Sequence, residues 1–384
     1  MKITVYEDLD GIEAEWRSFQ REAAGTFYQS FEWCSAWIET VGRDADIRAR
    51  IVTGKDEQGQ LRFLLPFGLR RRWGATVVEW IGSSQINYGY GLYHKSFLPS
   101  ARQWFGAEGW SVLHELGQFD ALRLQEMPEH LHGFPHPLLD WTTVPAANRS
   151  YAMSLHADYE QIYAAKRSGE TRRGNRKRDA KLEKIGNVTF GLPGSIERTH
   201  ALLDLMFQHQ QSRLAESGIR SVFTKEEREF VHRLAEKGDI LLPYHLSIDG
   251  ELAAMMLGAR FDNTYWALIS SLNAGIARRH SPGDAALRRM IEACCKLGLT
   301  RLDFSSGDTP YKMHWADEVL QMREAIRFRT ISGLPFAVAM LSTVTAKRAV
   351  KQSTILWRLF SMLRARIHGD TKAVAREPDS KTEH

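Results

Sequence analysis

The pattern of apolar and polar positions is clearest in the second half of the chain. Tyr244 to Ile248 and Leu252 to Phe261 are two β-type runs flanking Asp249-Gly250, the dipeptide of a two-residue hairpin turn. A third strand, Thr264 to Leu272, follows the turn at Asp262-Asn263. Next, Leu287, Met290, Ile291, Cys294 and Leu297 recur at helical spacing, with Arg288, Arg289, Glu292 and Lys296 on the other face. Ser281 is placed to cap this helix, Pro282 fits its first position, and Gly298 ends it. Arg301 to Ser305 is a further short strand. The order is hairpin, strand, helix, strand.

The first half repeats that order more faintly. Ile47–Thr53 and Leu61–Leu69 flank a turn at 56–59, Thr76–Ile81 is a third strand, and a helix over Arg102–Leu116 leads to Ala121–Gln125. Helices are also predicted over Ser30–Val41, Ile196–Glu216 and Lys225–Glu236. Element order alone therefore points to a duplicated α/β unit. The expected division is 1–148, 149–333, and a basic amphipathic helix and tail over 334–384.

Composition narrows the class. The 384 residues are 43% hydrophobic and 25% charged, the balance of a folded globular chain with room for two domains. Mean hydropathy is −0.36, and no apolar run approaches the roughly 20 residues of a bilayer crossing. The beginning of the chain shows no signal peptide, and its three cysteines cannot form a disulfide framework, so a cytoplasmic location is expected.

The net charge of +5 is unevenly placed. Lys166 to Lys184 holds nine Lys or Arg against three acids, and Ala346 to Ile367 holds six and no acid. The first run is either a solvated helix face or a grip for an anionic substrate or donor through Arg172 and Arg176, one turn apart. It has no interleaved aromatics, which argues against nucleic acid as a partner. In 354–367, Leu356, Leu359, Phe360, Leu363 and Ile367 form one stripe. That stripe suits either peripheral contact with the inner face of a membrane, through 346–367, or docking on the body of the protein.

The junction before the long second-half helix, His280-Ser281-Pro282-Gly283-Asp284-Ala285, carries the chemistry. A helix N-terminus offers free amides and a positive dipole end to a phosphate. Gly283 would let a pyrophosphate approach, while the Asp284 carboxylate competes for the same amides. Farther on, Asp303-Phe304-Ser305-Ser306-Gly307-Asp308-Thr309-Pro310-Tyr311-Lys312 gathers polar groups just after a strand. Tyr311 is a candidate acid and Asp303 or Asp308 a candidate base for proton transfer, with Lys312 a substrate contact. Each also has a plain structural use: Asp303 on a solvent face, Asp308 in an Asx-turn, Tyr311 and Lys312 as packing. His130, His132 and His136 have ligand-like spacing, but PEHLHGFPHP reads as a mobile surface loop. No metal is expected. Cys294 and Cys295 read as small buried apolar groups.

These segments, with Phe27-Tyr28-Gln29-Ser30, Trp33, Trp37 and the run ending Lys181-Leu182-Glu183-Lys184-Ile185-Gly186, resemble the GNAT acyltransferases. In particular they resemble the CelD-like, cellulose-biosynthesis-associated, FemAB-related branch, over about residues 25–330. The loop resembles the GNAT pattern Gln/Arg-x-x-Gly-x-Gly/Ala, with His280 in place of Gln or Arg and Arg279 adjacent. The resemblance implies an α/β fold of tandem GNAT-like domains, each a mixed, mainly antiparallel sheet flanked by helices. It implies acetyl-CoA or another acyl-CoA as donor, held by Arg279, His280, Ser281, Gly283, Asp284 and Ala285 in the second domain, and an unidentified amine or hydroxyl acceptor, for instance on a polysaccharide or envelope precursor. The alternatives are an aminoacyl-tRNA-dependent transferase and a non-catalytic accessory protein of exopolysaccharide synthesis.

Overall fold

The computed structural model describes residues 1–215, 223–273, 275 and 280–353. Arg278, Arg279 and the stripe in 354–367 lie outside the described residues. The first half runs β1 (Lys2–Tyr6), α1 (Glu13–Phe19), β2 (Ala23–Ala24), α2 (Phe31–Trp37), β3 (Arg48–Lys55), β4 (Leu61–Arg72), β5 (Ala75–Trp80), β6 (Leu92–His94), α3 (Leu98–Glu115), β7 (Ala121–Pro128), β8 (His130–Leu131) and β9 (Phe134–Pro135). The second runs β10 (Thr143–Ser154), α4 (Tyr159–Lys166), α5 (Gly169–Glu183), β11 (Val188–Gly191), α6 (Ile196–Ala215), α7 (Lys225–Ala235), β12 (Leu241–Ile248), β13 (Glu251–Phe261), β14 (Thr264–Leu272), α8 (Pro282–Lys296), β15 (Arg301–Ser306), α9 (Pro310–Trp315), β16 (Glu318–Phe328) and α10 (Leu334–Gln352).

The predicted hairpin forms between β12 and β13, with Asp249 and Gly250 both left-handed at φ 51° and 84°, as a tight turn matched to strand twist requires. β14 follows over its predicted residues. One mixed, mainly antiparallel sheet of fourteen strands runs β1-β3-β4-β5-β7-β16-β10-β15-β14-β13-β12-β11, with β2 and β6 at its side. Helices cover both faces, and an apolar core extends through both halves. The sheet is continuous because β16 leaves the second half and inserts between β7 and β10. The residue 148/149 boundary falls inside β10.

Among the described strands only two pairs are parallel, β5 with β7 and β14 with β15, one in each half. Each pairs over a few residues and then parts. β14 is in register with β15 only from Thr264 to Trp266, then stays with β13 as far as Leu272. β15 stays with β10 as far as Ser306. The two strands are thus held by different neighbours, and a wedge opens between them. Gly258 on β13 allows Tyr265 to lie across the strand: a Cβ there would sit 2.1 Å from the ring.

Candidate functional site

The second-half wedge opens into a cavity of about 400 Å³. Its walls come from β14, the first turn of α8, the end of β15 and the start of α9, with Asn87 from the first half and Arg213 from α6. On β14 the register steps so that Gly258 faces Ala267 and Leu257 faces Ile269. Leu268 is the extra residue of a bulge. A bulge takes its residue off the ladder, which leaves a backbone polar group at the wedge.

The start of α8 is left open. Ser281 occupies the cap position, but in a left-handed conformation (φ 56°), and its side chain makes no capping bond; the expected serine cap is corrected on this point. The Asp284 carboxylate does not compete for the amides either. It accepts from Arg288 Nε at 3.1 Å, and Arg288 in turn grips Asp179 on α5 at 2.7 and 2.9 Å. Gly283 lines the cavity, and among the described residues a Cβ built on it would meet only Leu272, at an ordinary 3.6 Å. The protein itself does not need glycine there, which leaves the space to a ligand. Ala285 is buried under the helix, and His280 directly precedes the cap.

Tyr311 and Lys312 both reach the cavity. Tyr311 keeps 40% of its surface exposed, and partial burial raises its phenol pKa. Lys312 is buried, its Nζ donating to the carbonyls of Ser306 at 2.6 Å and Ser305 at 3.3 Å. Burial pushes its pKa down to about 8, against the charges of Asp303 and Asp308. The expected packing role is therefore too plain for this lysine.

The two carboxylates sit elsewhere. Asp303 is fully buried rather than on a solvent face. It accepts from Tyr88 Oη at 2.6 Å and from Ser305 N–H at 2.8 Å, with Arg301 3.7 Å away. Burial raises its pKa, opposed first by Arg301. Asp308 accepts from Tyr151 Oη at 2.6 Å and is paired with Arg149 at 3.1 Å, so it ties β10 to the loop. Neither lines the cavity.

Sequence reasoning missed the floor of the site. Ser305, left-handed at φ 62°, donates its hydroxyl to Ala267 O and so closes the narrow end of the wedge. Ser306 Oγ donates to Asn87 Oδ1 at 2.9 Å, and Asn87 Nδ2 donates to Tyr28 Oη at 2.8 Å. The first half thus holds the end of β15 in place.

Arg172 and Arg176 lie on α5, half-buried and exposed respectively, and neither lines the cavity. Arg167, unnoticed in the sequence, stacks over Trp315 at 4.3 Å and lies in electrostatic reach of Asp284. Among the described residues no group of His, Cys, Asp or Glu is arranged to hold a metal ion. The histidine segment is not a loose loop. It forms the β8–β9 hairpin, with His136 fully buried on the carbonyl of Gly89 at 3.0 Å and its pKa lowered to about 3 by burial.

The matching wedge in the first half is filled. β5 and β7 pair only at Val77–Val78 with Ala121–Leu122. Gly89 then enters the gap, donating its N–H to Glu126 O at 2.7 Å. A Cβ on Gly89 would lie 2.3 Å from both Gln125 O and Trp80 Nε1, so the chain itself occupies the space.

Residues 169–313 match the family model of the acetyltransferase (GNAT) domain. The second half of the chain accordingly carries a GNAT-type acetyltransferase domain, and the whole has the mixed α/β architecture of tandem GNAT-like halves. In three dimensions the chain is similar to the crystal structure of FemX, at 9% identity and TM-score 0.61, over 88% of this chain and 98% of that one. It is also similar to L-PGS from Bacillus licheniformis, at 13% identity and TM-score 0.52, over 89% and 99%. A conserved protein of unknown function from Bacteroides thetaiotaomicron matches at 10% identity and TM-score 0.53, over 85% and 100%. At these identities the likeness is one of fold. A search of curated proteins by sequence found no match.

Proposed function

We propose that the protein transfers an acyl group from acyl-CoA to an amine or hydroxyl, using the second-half wedge alone. The carrying observation is that the wedge opens on an α8 without a side-chain cap, with Gly283 facing space free of the other described residues and the Asp284 carboxylate, which also lines the cavity, paired with Arg288. The pyrophosphate of CoA would sit on the first turn of α8, near Ser281, Gly283 and Ala285, with His280 beside it; the Arg279 charge proposed from the sequence lies outside the described residues. The pantetheine would run along β14, past the Leu268 bulge, and put the thioester carbonyl in the wedge. Arg167, Arg172 and Arg176 would flank the anionic end of the donor.

In the reaction the acceptor nitrogen or oxygen bonds to the carbonyl carbon, the C–S bond breaks, and its electron pair leaves on sulfur. The acceptor gives up one proton to solvent, and the thiolate takes one from Tyr311, which recovers it from solvent. Tyr311, which keeps its proton at neutral pH, is the acid for the departing thiolate. The Lys312 ammonium spends donors on two carbonyls and has one more for the developing oxyanion. Asp303 and Asp308 position β15 and its loop rather than move protons.

The FemX-like fold favours a second reading with aminoacyl-tRNA as donor, since the resemblance seen in the sequence extends to FemAB-type transferases. Accessory function in exopolysaccharide synthesis, a CelD-like placement, a polysaccharide or envelope acceptor and membrane contact through 346–367 rest on sequence resemblance and charge alone. The helix that leads into that segment is docked through the buried Val344, and within the segment Lys351 donates to Asn148 at 2.7 Å. Release of free CoA thiol from acyl-CoA, with a panel of amines and amino sugars, tests the donor. Thiol release that depends on an amine supports acyl-CoA. Acyl transfer from charged tRNA without any CoA turnover overturns it.

A further inference from the structure

A second cavity, of about 250 Å³, lies against the first and shares Asn87, Leu257, Leu268 and Ile269 with it. It continues from the bulge towards α7 and is walled by Trp33, Phe230, Val231 and Leu234. Trp33 and Phe230 meet edge to face at 4.8 Å, which gives a firm aromatic wall.

The side-chain amides and the carboxylate in this wall are already partnered. Gln85 Nε2 donates to Glu227 Oε1 at 2.6 Å, and Gln85 Oε1 accepts from Trp37 at 3.0 Å. The other oxygen of Glu227 accepts from the N–H of Thr224 at 2.8 Å, in the capping box of α7. Asn87 spends its amide on Tyr28 and Ser306. The indole N–H of Trp33 is without a partner among the described residues, but it abuts Gly82, where a Cβ would lie 2.9 Å from it. A sugar or charged group entering here would lose more water contacts than the Trp33 indole and the backbone at the Leu268 bulge could replace. An apolar group would gain from burial.

We infer that this cavity holds the acyl chain of the donor, and that the donor is a medium-chain acyl-CoA rather than acetyl-CoA. The inference rests on the acyl-CoA reading above. It commits to the donor's chain because the cavity shares Asn87, Leu257, Leu268 and Ile269 with the wedge cavity, into which that reading puts the thioester carbonyl; the carbons attached to the carbonyl are the ones that continue past it. A water takes roughly 30 Å³ of liquid volume, so 250 Å³ has room for a chain of about six to eight carbons. The bond changes are those already described; only the length of the transferred group differs.

The test is the affinity of the whole protein for free CoA and for its acetyl, butyryl, hexanoyl, octanoyl and dodecanoyl thioesters, by calorimetry. Affinity should rise about fourfold per methylene, the equivalent of about 0.8 kcal/mol, to six or eight carbons and then level off. Val231→Trp, which fills the cavity, should bring the octanoyl-to-acetyl ratio close to one. Leu234→Phe, a gentler filling, should lower that ratio and covers the case in which the tryptophan variant does not fold. A flat profile from acetyl to octanoyl in a protein that binds CoA overturns this inference alone. Failure to bind CoA at all overturns the acyl-CoA reading and this inference with it.

Discussion

Lys312 carries the most specific expectation at the scale of single residues. Burial holds its folded pKa near 8, below the ordinary value of 10.5. If its ammonium supports the oxyanion, turnover should fall as pH rises through about 8, and Lys312→Met should lose that limb. Loss of one such donor costs about a hundredfold in kcat. A pH–rate profile of thiol release checks this, and an unchanged limb in the variant would remove Lys312 from the chemistry. The same shift has a consequence for stability. Between pH 8 and 10.5 the unfolded chain holds more protons at this site than the folded one, so stability rises with pH across that window. Below pH 8 the buried charge costs its full amount, on the order of 3 kcal/mol. The melting temperature of the wild type should therefore gain on that of Lys312→Met between pH 8 and 10. Residue types such as Tyr311 and Lys312 were legible in the sequence, but their surroundings were not. Asp303 was legible as a candidate base, but the Tyr88 hydroxyl and Ser305 amide that donate to its carboxylate were not.

At the scale of elements, α5 and α8 form one unit through Arg288 and Asp179. This places the basic stretch of α5 beside the helix start proposed for the donor. Replacing Arg172 and Arg176 together by alanine should weaken CoA binding severalfold and flatten its dependence on salt. Titrations at low and high ionic strength check this, and wild-type behaviour would reduce both to a solvated face. Elements set by local chemistry could be read from the sequence: the Asp249-Gly250 hairpin, β14, and α8 from its periodic apolar face. β10 and β16 could not. β16 carries a polar residue at most outward positions and finds its partner β7 nearly two hundred residues back in the chain. The wedge was hidden for the same reason, since it follows from which neighbours hold β14 and β15 apart. Asn87 joins the site across 219 positions of sequence.

At the scale of the whole molecule, the two halves share an architecture and differ in what fills the wedge. In the first, the segment around Gly89 threads the gap, with His136 fastened to its carbonyl. In the second, the gap is open and leads to α8. β16 locks the halves into one sheet, and Tyr28, Asn87 and Tyr88 of the filled half brace the floor of the open one. The filled half is thus a support for the site rather than a second copy of it. Calorimetry of CoA with the wild type and with Gly283→Val tests this account most directly. The account predicts one CoA per chain in the wild type, and at least a hundredfold loss of affinity in Gly283→Val with its circular dichroism spectrum and melting temperature retained. Two CoA per chain, or unchanged affinity in the folded variant, would contradict it.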